Sequence, residues 1–509
     1  MTVASGAVPT ASRRDKERAI RRAMGVVAAV FLVKAIVLAF WVTPMWDVPD
    51  ESGHYGIVAD LAEGKGLPVP GRSVLPADVL ADWSKGKAPG PYLNWVAQHP
   101  PLYHLLAAPI LSGARLVTAD PRWLYRAPRL LSAVSGAAAL LLFFAAFLEA
   151  TADPLLSFVA AAGVGLVPMY SHLSSGTNHD ILLALASGIA ALGFARLARS
   201  GSFSDAMTMA AGLALAGGVK LSAVVPAAAL TLLAAFRVKA RGARRAAQAA
   251  AVGLTSVSLA LAWTLRHWLL FGDTRVHPVS KEPFRLASLL DYLRSEPVLD
   301  HTFKNFFGLI GWMGTGRGEV RWFQVSGVFL APYVLLAVLC AAGAAAWFWK
   351  RGGSRPAARA VCGAIAASVF LFCYLAFFAG AGASALLKGI VYSLVAAVPF
   401  AALPGAFGGG TAQEKVLAGS QFVFLVFCAA YLVNSFEAYE IYGQMRATNG
   451  RYFFAVLPFV VLAFPIAAAR NFSAEKPRDA LLLLILAGLF VNETAFFLLR
   501  VIPFYRGGS

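Results

Sequence analysis

The sequence predicts an all-α polytopic membrane protein, and three observations carry that expectation. Hydrophobic residues fill 59% of the 509 positions and charged residues only 14%, against roughly 25% charged in a soluble domain. Apolar runs of about twenty residues, the length of a bilayer passage, recur from end to end. They are rich in Ala, Leu and Val without two-residue alternation, so helices rather than a closed barrel must satisfy the backbone inside lipid.

Hydropathy places thirteen spans, at 24–43, 126–148, 154–170, 180–199, 206–220, 222–236, 247–270, 323–348, 358–380, 388–407, 416–436, 452–469 and 480–499. The pair 206–220 and 222–236 is short and is also compatible with one kinked passage. The net charge of +18 sits in clusters beside the spans. Arg13, Arg14, Lys16, Arg18, Arg21 and Arg22 precede the first. Arg237, Lys239, Arg241, Arg244 and Arg245 fill one short loop, and Lys350, Arg351, Arg355 and Arg359 another. Basic residues so placed set orientation, cytoplasmic side positive, and argue against a nucleic-acid partner; contact with anionic membrane lipids is secondary. The stretch 102–118 (LYHLLAAPILSGARLVT) read as a span would move both strong clusters outside. It is expected to be a re-entrant or surface helix.

The expected organisation follows: 1–23 a basic cytoplasmic N-terminus, 24–43 the first span, 44–125 an extracytoplasmic loop with interfacial helices, 126–270 a transmembrane core module, 271–322 a second extracytoplasmic loop, 323–499 a C-terminal transmembrane module and 500–509 a short extracytoplasmic tail. The first span has full length and no A-x-A exit, so it reads as a retained anchor rather than a cleaved signal. All four cysteines (Cys340, Cys362, Cys373, Cys428) lie in apolar runs without a CxxC spacing, which argues against a cystine framework and a structural metal. Lys34, in the middle of span one, has no explanation in the sequence; the plain alternative is a snorkelling side chain.

The unusual chemistry begins where span one ends, in MWDVPDESGHYGIVADLAEGKG from Met45. Carboxylates are costly at a membrane edge, where Lys, Arg, Trp and Tyr are favoured. Asp47, Asp50 and Glu51 beside His54 therefore read as a general base, with or without a divalent ion, against the plainer alternative of a solvated acidic loop. Tyr55, Val58, Leu61 and Ala62 repeat at helical spacing with Asp60 and Glu63 opposite, as expected of a short amphipathic helix on the membrane surface. In QHPPLY, Pro100 and Pro101 extend the chain and then start a helix, holding His99 at its N-terminus. The aromatic loop 303–323 reads equally as an interfacial belt or as a sugar platform through Trp312 and Trp322. Outer-face cations are Lys220, Arg266, His267, Arg275, Arg317, Arg321 and Arg451.

PDESGHYGIVADLAEGKG followed by QHPPLYHLL resembles the first extracytoplasmic loop of the GT-C glycosyltransferases, in particular the branch of protein O-mannosyltransferases and aminoarabinose transferases. SSGTNHD with Asp180, LALAGGVKLSAVVP with Lys220, and NGRYFFAVLPF with Arg451 and Tyr452 resemble further segments of that family. The resemblance covers the first 240 residues well and is patchy beyond. It implies a GT-C bundle that moves a sugar, with inversion, from a polyprenyl-phosphate carrier to a glycan, lipid or protein acceptor outside a bacterial plasma membrane. It further implies Asp50 as the base on the acceptor hydroxyl, Glu51 as its support or a ligand for Mg or Mn, and Asp47 as a further candidate. Asp180 would orient acceptor or sugar, and Lys220 and Arg451 would meet the phosphate. His54, His99, Tyr452 and Trp312 complete the substrate-side set. Nothing resembles a DxD nucleotide-sugar site on the inner face. The competing expectations are a lipid-linked sugar flippase and a noncatalytic envelope-assembly protein.

Overall fold

The apolar stretches read from the sequence are helical in the computed structural model, which describes residues 11–84, 90–273, 284–312, 321–351, 356–377, 383–408, 410–445, 448–472 and 474–507. Helix α1 (Ala11–Val37) runs into a π-helical turn, Leu38–Val42. The first long connection holds α2 (Glu51–Ala62), α3 (Ala77–Ser84), α4 (Leu102–Val117) and α5 (Pro121–Leu124). Then come α6 (Arg129–Thr151), α7 (Pro154–Val164), α8 (Pro168–Ser174), α9 (Asp180–Ser200), α10 (Phe203–Val219), α11 (Val224–Arg237) and α12 (Gly242–Phe271). The second long connection carries α13 (Leu286–Ser295), α14 (Val298–Phe307) and an antiparallel pair, β1 (Leu309–Trp312) with β2 (Arg321–Gln324), in the register Leu309 opposite Gln324. The remainder is α15 (Ala331–Arg351), α16 (Pro356–Phe377), α17 (Ala383–Phe407), α18 (Ala412–Tyr442), a 3-10 turn Gly450–Val456 leading into α19 (Leu457–Val461), α20 (Ala467–Ala469), α21 (Glu475–Phe496) and α22 (Ile502–Arg506).

The molecule is thus an all-α polytopic membrane protein. Among the described residues, eight helices are long and apolar enough to cross a bilayer, and a ninth passage arises if α7 and α8, bent by 65°, are one. The helices α10 and α11 and the described apolar parts of α16 and α17 are shorter, so a count of thirteen requires those four to cross as well. Span 323–348 begins later than expected, because Phe323 and Gln324 belong to β2. The helix α4 has 16 residues with Pro109 inside it, about 24 Å of helix against about 30 Å of hydrocarbon.

The pair α10 and α11 is a hairpin rather than one kinked passage. Lys220 between them is extended (φ −154°, ψ 131°), and the amide of Lys239, past α11, donates to the carbonyl of Gly201, before α10, at 3.1 Å. Both outer ends therefore lie at one level, and Lys220 is the tip at the other. The helix α9 ends beside that first level at Gly201, a left-handed C-cap, so its N-terminal Asp180 stands at the level of Lys220. Four segments far apart in sequence meet at this end of the bundle.

The helix α2 forms where its spacing predicts, but it is not half wet. Every residue from Glu51 to Ala59 is buried. Tyr55 packs between Trp46 and Tyr125, at ring-centroid distances of 5.6 and 5.1 Å, and α4 covers another flank through His104. The period that suggested an interfacial face marks only its last turn, where Asp60 and Glu63 pair with Lys65.

Lys34 does not snorkel. Its ammonium pairs with Glu493 of α21 at 2.9 Å and donates to the carbonyl of Gly165 at 3.0 Å, while the Ser171 hydroxyl donates to the same carboxylate at 2.6 Å. An ammonium facing hydrocarbon needs a partner, and α21 supplies it. The pair fastens α1 and α21 at the bend between α7 and α8.

Candidate active site

The scaffold of the site is a buried ion pair that the sequence does not advertise. Arg129, at the start of α6, and Glu51, the first residue of α2, are both fully enclosed. The guanidinium has five N–H donors, and all five are used. They go to both oxygens of Glu51 at 2.7 and 2.8 Å, and to the carbonyls of Ala39 at 2.6 Å, Thr43 at 2.9 Å and Pro44 at 2.7 Å. The π-helical turn at the end of α1 widens the last coil, and two of those carbonyls, Ala39 and Thr43, lie within it or at its cap. Glu51 also accepts the amides of Trp46 at 3.0 Å and Thr177 at 2.8 Å. The loop before α9 comes this close because residue 176 is glycine; a Cβ there would meet Val48 at 2.4 Å. Glu51 is accordingly a tie between α1, α2, α6 and this loop.

Its neighbour Asp50 faces elsewhere. Asp50 is the N-cap of α2 in the left-handed region (φ 62°) and makes no capping hydrogen bond of its own, whereas a capping Asp normally accepts from the helix amides. One carboxylate oxygen instead accepts the indole N–H of Trp95 at 2.8 Å, and the other meets the guanidinium of Arg451. Arg451 also lies 3.4 Å from Asp180, and Asp180 holds the ammonium of Lys220 at 2.7 Å. The Tyr452 ring closes the base of the group, with the Lys220 ammonium 4.4 Å from its centroid. Arg451 is set in place by close approach of α14: a Cβ on Gly450 would meet the amide of Phe306 at 2.3 Å.

Accessibility separates the carboxylates. The Asp50 side chain is 19% exposed, whereas those of Glu51 and Asp180 are at 0%. Asp47, also at 0%, sits near Tyr505 rather than in this group. Of these four, Asp50 alone is reachable by an incoming substrate.

Histidines line the flank of the network. His54 and His104 share a hydrogen bond at 3.0 Å, and the His179 ring lies 4.4 Å from His54 and 4.7 Å from His99. Burial, then the neighbouring His104, His99, Arg451 and Lys220, hold His54 well below the usual imidazole range. Burial, then His54, Lys220, His99 and His104, do the same for His179. Neutral rings beside two fixed cations add no positive charge to the group, and His179 Nε2 stands 3.4 Å from Asp180.

The residues do not fit a shared divalent-ion site. Asp50 and Glu51 point at different cations, and among the described residues no group of three His, Cys, Asp or Glu side chains is disposed to hold a metal.

The structure thus brings Asp50, Asp180, Lys220, Arg451, Tyr452, His54 and His99 together and sets Glu51 and Asp47 behind them. Trp312 ends β1, but its side chain lies outside the described part of the structure, as do the side chain of Arg321 and all of Arg275 and Arg317. Arg266 is engaged with the carbonyls of Pro68 and Leu67, and His267 packs on Phe271. Sequence reasoning missed Arg129, Trp95, His104 and His179. The signal for Arg129 was an arginine at a span's start, which reads as an ordinary interfacial residue.

No family model and no curated protein matches the sequence. Among solved structures the chain is similar to the protein O-mannosyltransferase Pmt1-Pmt2 complex of S. cerevisiae bound to the sugar donor, at 15% identity and a TM-score of 0.35, over 51% of this chain and 35% of that one. It therefore spans about a third of that chain's length. It is also similar to ArnT from Cupriavidus metallidurans bound to undecaprenyl phosphate, at 15% identity and a TM-score of 0.40, over 95% of this chain and 77% of that one. Both likenesses are remote, and the chemistry of the site stands on its own residues.

Proposed function

We propose that the chain is an inverting membrane glycosyltransferase that moves a sugar from a polyprenyl-phosphate carrier to an acceptor hydroxyl, with Asp50 as general base. The observation that carries this reading is the convergence of Asp50, Asp180, Lys220 and Arg451 in one network at one end of a helical membrane bundle. A carrier lipid keeps its phosphate at head-group depth, so the groups that act on it must lie at the ends of the spans.

The acceptor oxygen attacks the anomeric carbon from the face opposite the phosphate as the bond to the phosphate oxygen breaks. Asp50 takes the hydroxyl proton. The leaving phosphate keeps the bonding pair, and Arg451 and Lys220 stabilise its growing charge. Arg451 holds Asp50 in the resting state; an arriving phosphate competes for that guanidinium and releases the base. Asp180 keeps both cations aimed. In this reading the N-terminus is cytoplasmic, the site faces outward, and the membrane is a bacterial plasma membrane. The outer loops recognise the acceptor.

The test is transfer from undecaprenyl-phosphate mannose, galactose and arabinose in membranes carrying the full chain. Asp50→Asn is expected to lower the rate by about 10²–10⁴, the span of general-base catalysis, at unchanged abundance. Undiminished transfer by that variant would remove Asp50 from the reaction. A flippase would keep moving the lipid-linked sugar without transferring it.

A further inference from the structure

The first connection holds an aromatic cluster that the reaction above does not use. Trp83 at the end of α3, Tyr92 and Trp95 meet with ring centroids 5.5 Å apart (Trp83–Tyr92), 5.7 Å (Trp83–Trp95) and 6.0 Å (Tyr92–Trp95). They are fixed from behind. Asp82, next to Trp83, accepts the indole N–H of the buried Trp46 at 2.7 Å. The strand-like stretch carrying Tyr92 is held by hydrogen bonds from Leu75 to the Tyr92 carbonyl and from Asn94 to the Ser73 carbonyl, both at 2.9 Å. Yet the cluster is not sealed. Tyr92 is 47% exposed, and Trp83 and Trp95 are half-buried.

The decisive contact is that of Trp95, whose indole N–H donates to Asp50. One residue thus belongs both to the aromatic cluster and to the shell of the reactive carboxylate.

We infer that Trp83, Tyr92 and Trp95 form the acceptor subsite, and that the acceptor is a glycan ending in a pyranose. The inference rests on the reaction proposed above and adds its substrate class. A pyranose has an apolar C–H face and a rim of hydroxyls. The cluster offers the matching pair: ring faces for stacking, and a polar edge where the Asp50 carboxylate meets the Trp95 indole. An acyl chain has no use for that polar edge. A serine side chain is too small to engage three rings.

Saturation-transfer NMR on the full chain in detergent tests this without any turnover. The probes are methyl α-mannopyranoside, methyl β-galactopyranoside and methyl β-glucopyranoside, with sorbitol as the acyclic control. At least one pyranoside is expected to receive saturation on the C–H groups of one ring face, and sorbitol none. The signal should fall at least fivefold in Trp83→Ala and Tyr92→Ala, return in Tyr92→Phe, and persist in Lys16→Ala, an exposed residue near the start of α1. Signals unchanged in both alanine variants, or no signal from any pyranoside, would overturn the subsite; lower yield with unchanged signals would mark the rings as a membrane-interface belt. A chain that transfers sugar but ignores pyranosides loses the subsite and keeps the reaction. A chain that binds them and transfers nothing loses the reaction and keeps the subsite.

Discussion

Arg129→Lys is expected to destabilise the protein by about 2–6 kcal/mol, the cost of leaving at least two buried acceptors unsatisfied at about 1–3 kcal/mol each. Charge is conserved in this exchange, so the loss comes from geometry. A lysine offers three donors on a point charge, where the guanidinium offers five in a planar fork. At least two of the five acceptors (both oxygens of Glu51 and the carbonyls of Ala39, Thr43 and Pro44) would be left unsatisfied in an enclosed space. Glu51→Gln should act in the same direction, because it strips the charge that compensates the guanidinium. Thermal unfolding in detergent measures both. A melting temperature within a degree of the parent's for Arg129→Lys would show that the pair does not hold α1, α2 and α6 together.

The second large effect falls on the phosphate side. Lys220→Met removes an ammonium 2.7 Å from Asp180. A hydrogen bond involving a charged group contributes about 1.5–3 kcal/mol, so affinity for undecaprenyl phosphate should fall roughly 10- to 150-fold. Asp180 keeps Arg451 as a neighbour at 3.4 Å, so the variant should still fold. Lys220→Arg should recover part of the affinity, since it restores charge but not position. Titration of undecaprenyl phosphate against the purified chain, followed by intrinsic fluorescence, reads the constant. Equal affinity in Lys220→Met and the parent would place the phosphate elsewhere.

The fold was readable because lipid imposes it. A chain in hydrocarbon must close its own hydrogen bonds, so long apolar runs have one outcome, and the stretches at 180–199 and 247–270 appear as α9 and α12. Lys220 was readable as the tip between two short apolar stretches, and the resemblance of LALAGGVKLSAVVP singled it out. Direction was not readable. Asp50 and Glu51 are adjacent in sequence and look like one acidic pair, but successive residues at a helix start point to different sides. One became the partly accessible group at Arg451 and the other a fully enclosed tie to Arg129. The burial of α2 was hidden similarly, because Glu51, Ser52 and His54 read as polar while Arg129, Asn94 and His104 wait to enclose that helix from later in the chain. Lys34 needed a partner 459 positions away, which no local pattern discloses.

Everything functional depends on Asp50, Lys220 and Arg451 facing the phosphate of one carrier lipid. The most direct measurement is a cryo-EM map of the full chain in nanodiscs with undecaprenyl phosphate. The account predicts phosphate density within hydrogen-bond distance of both the Lys220 ammonium and the Arg451 guanidinium, with Asp50 released from Arg451. Phosphate density at another end of the bundle, with the Asp50–Arg451 contact intact, would contradict it.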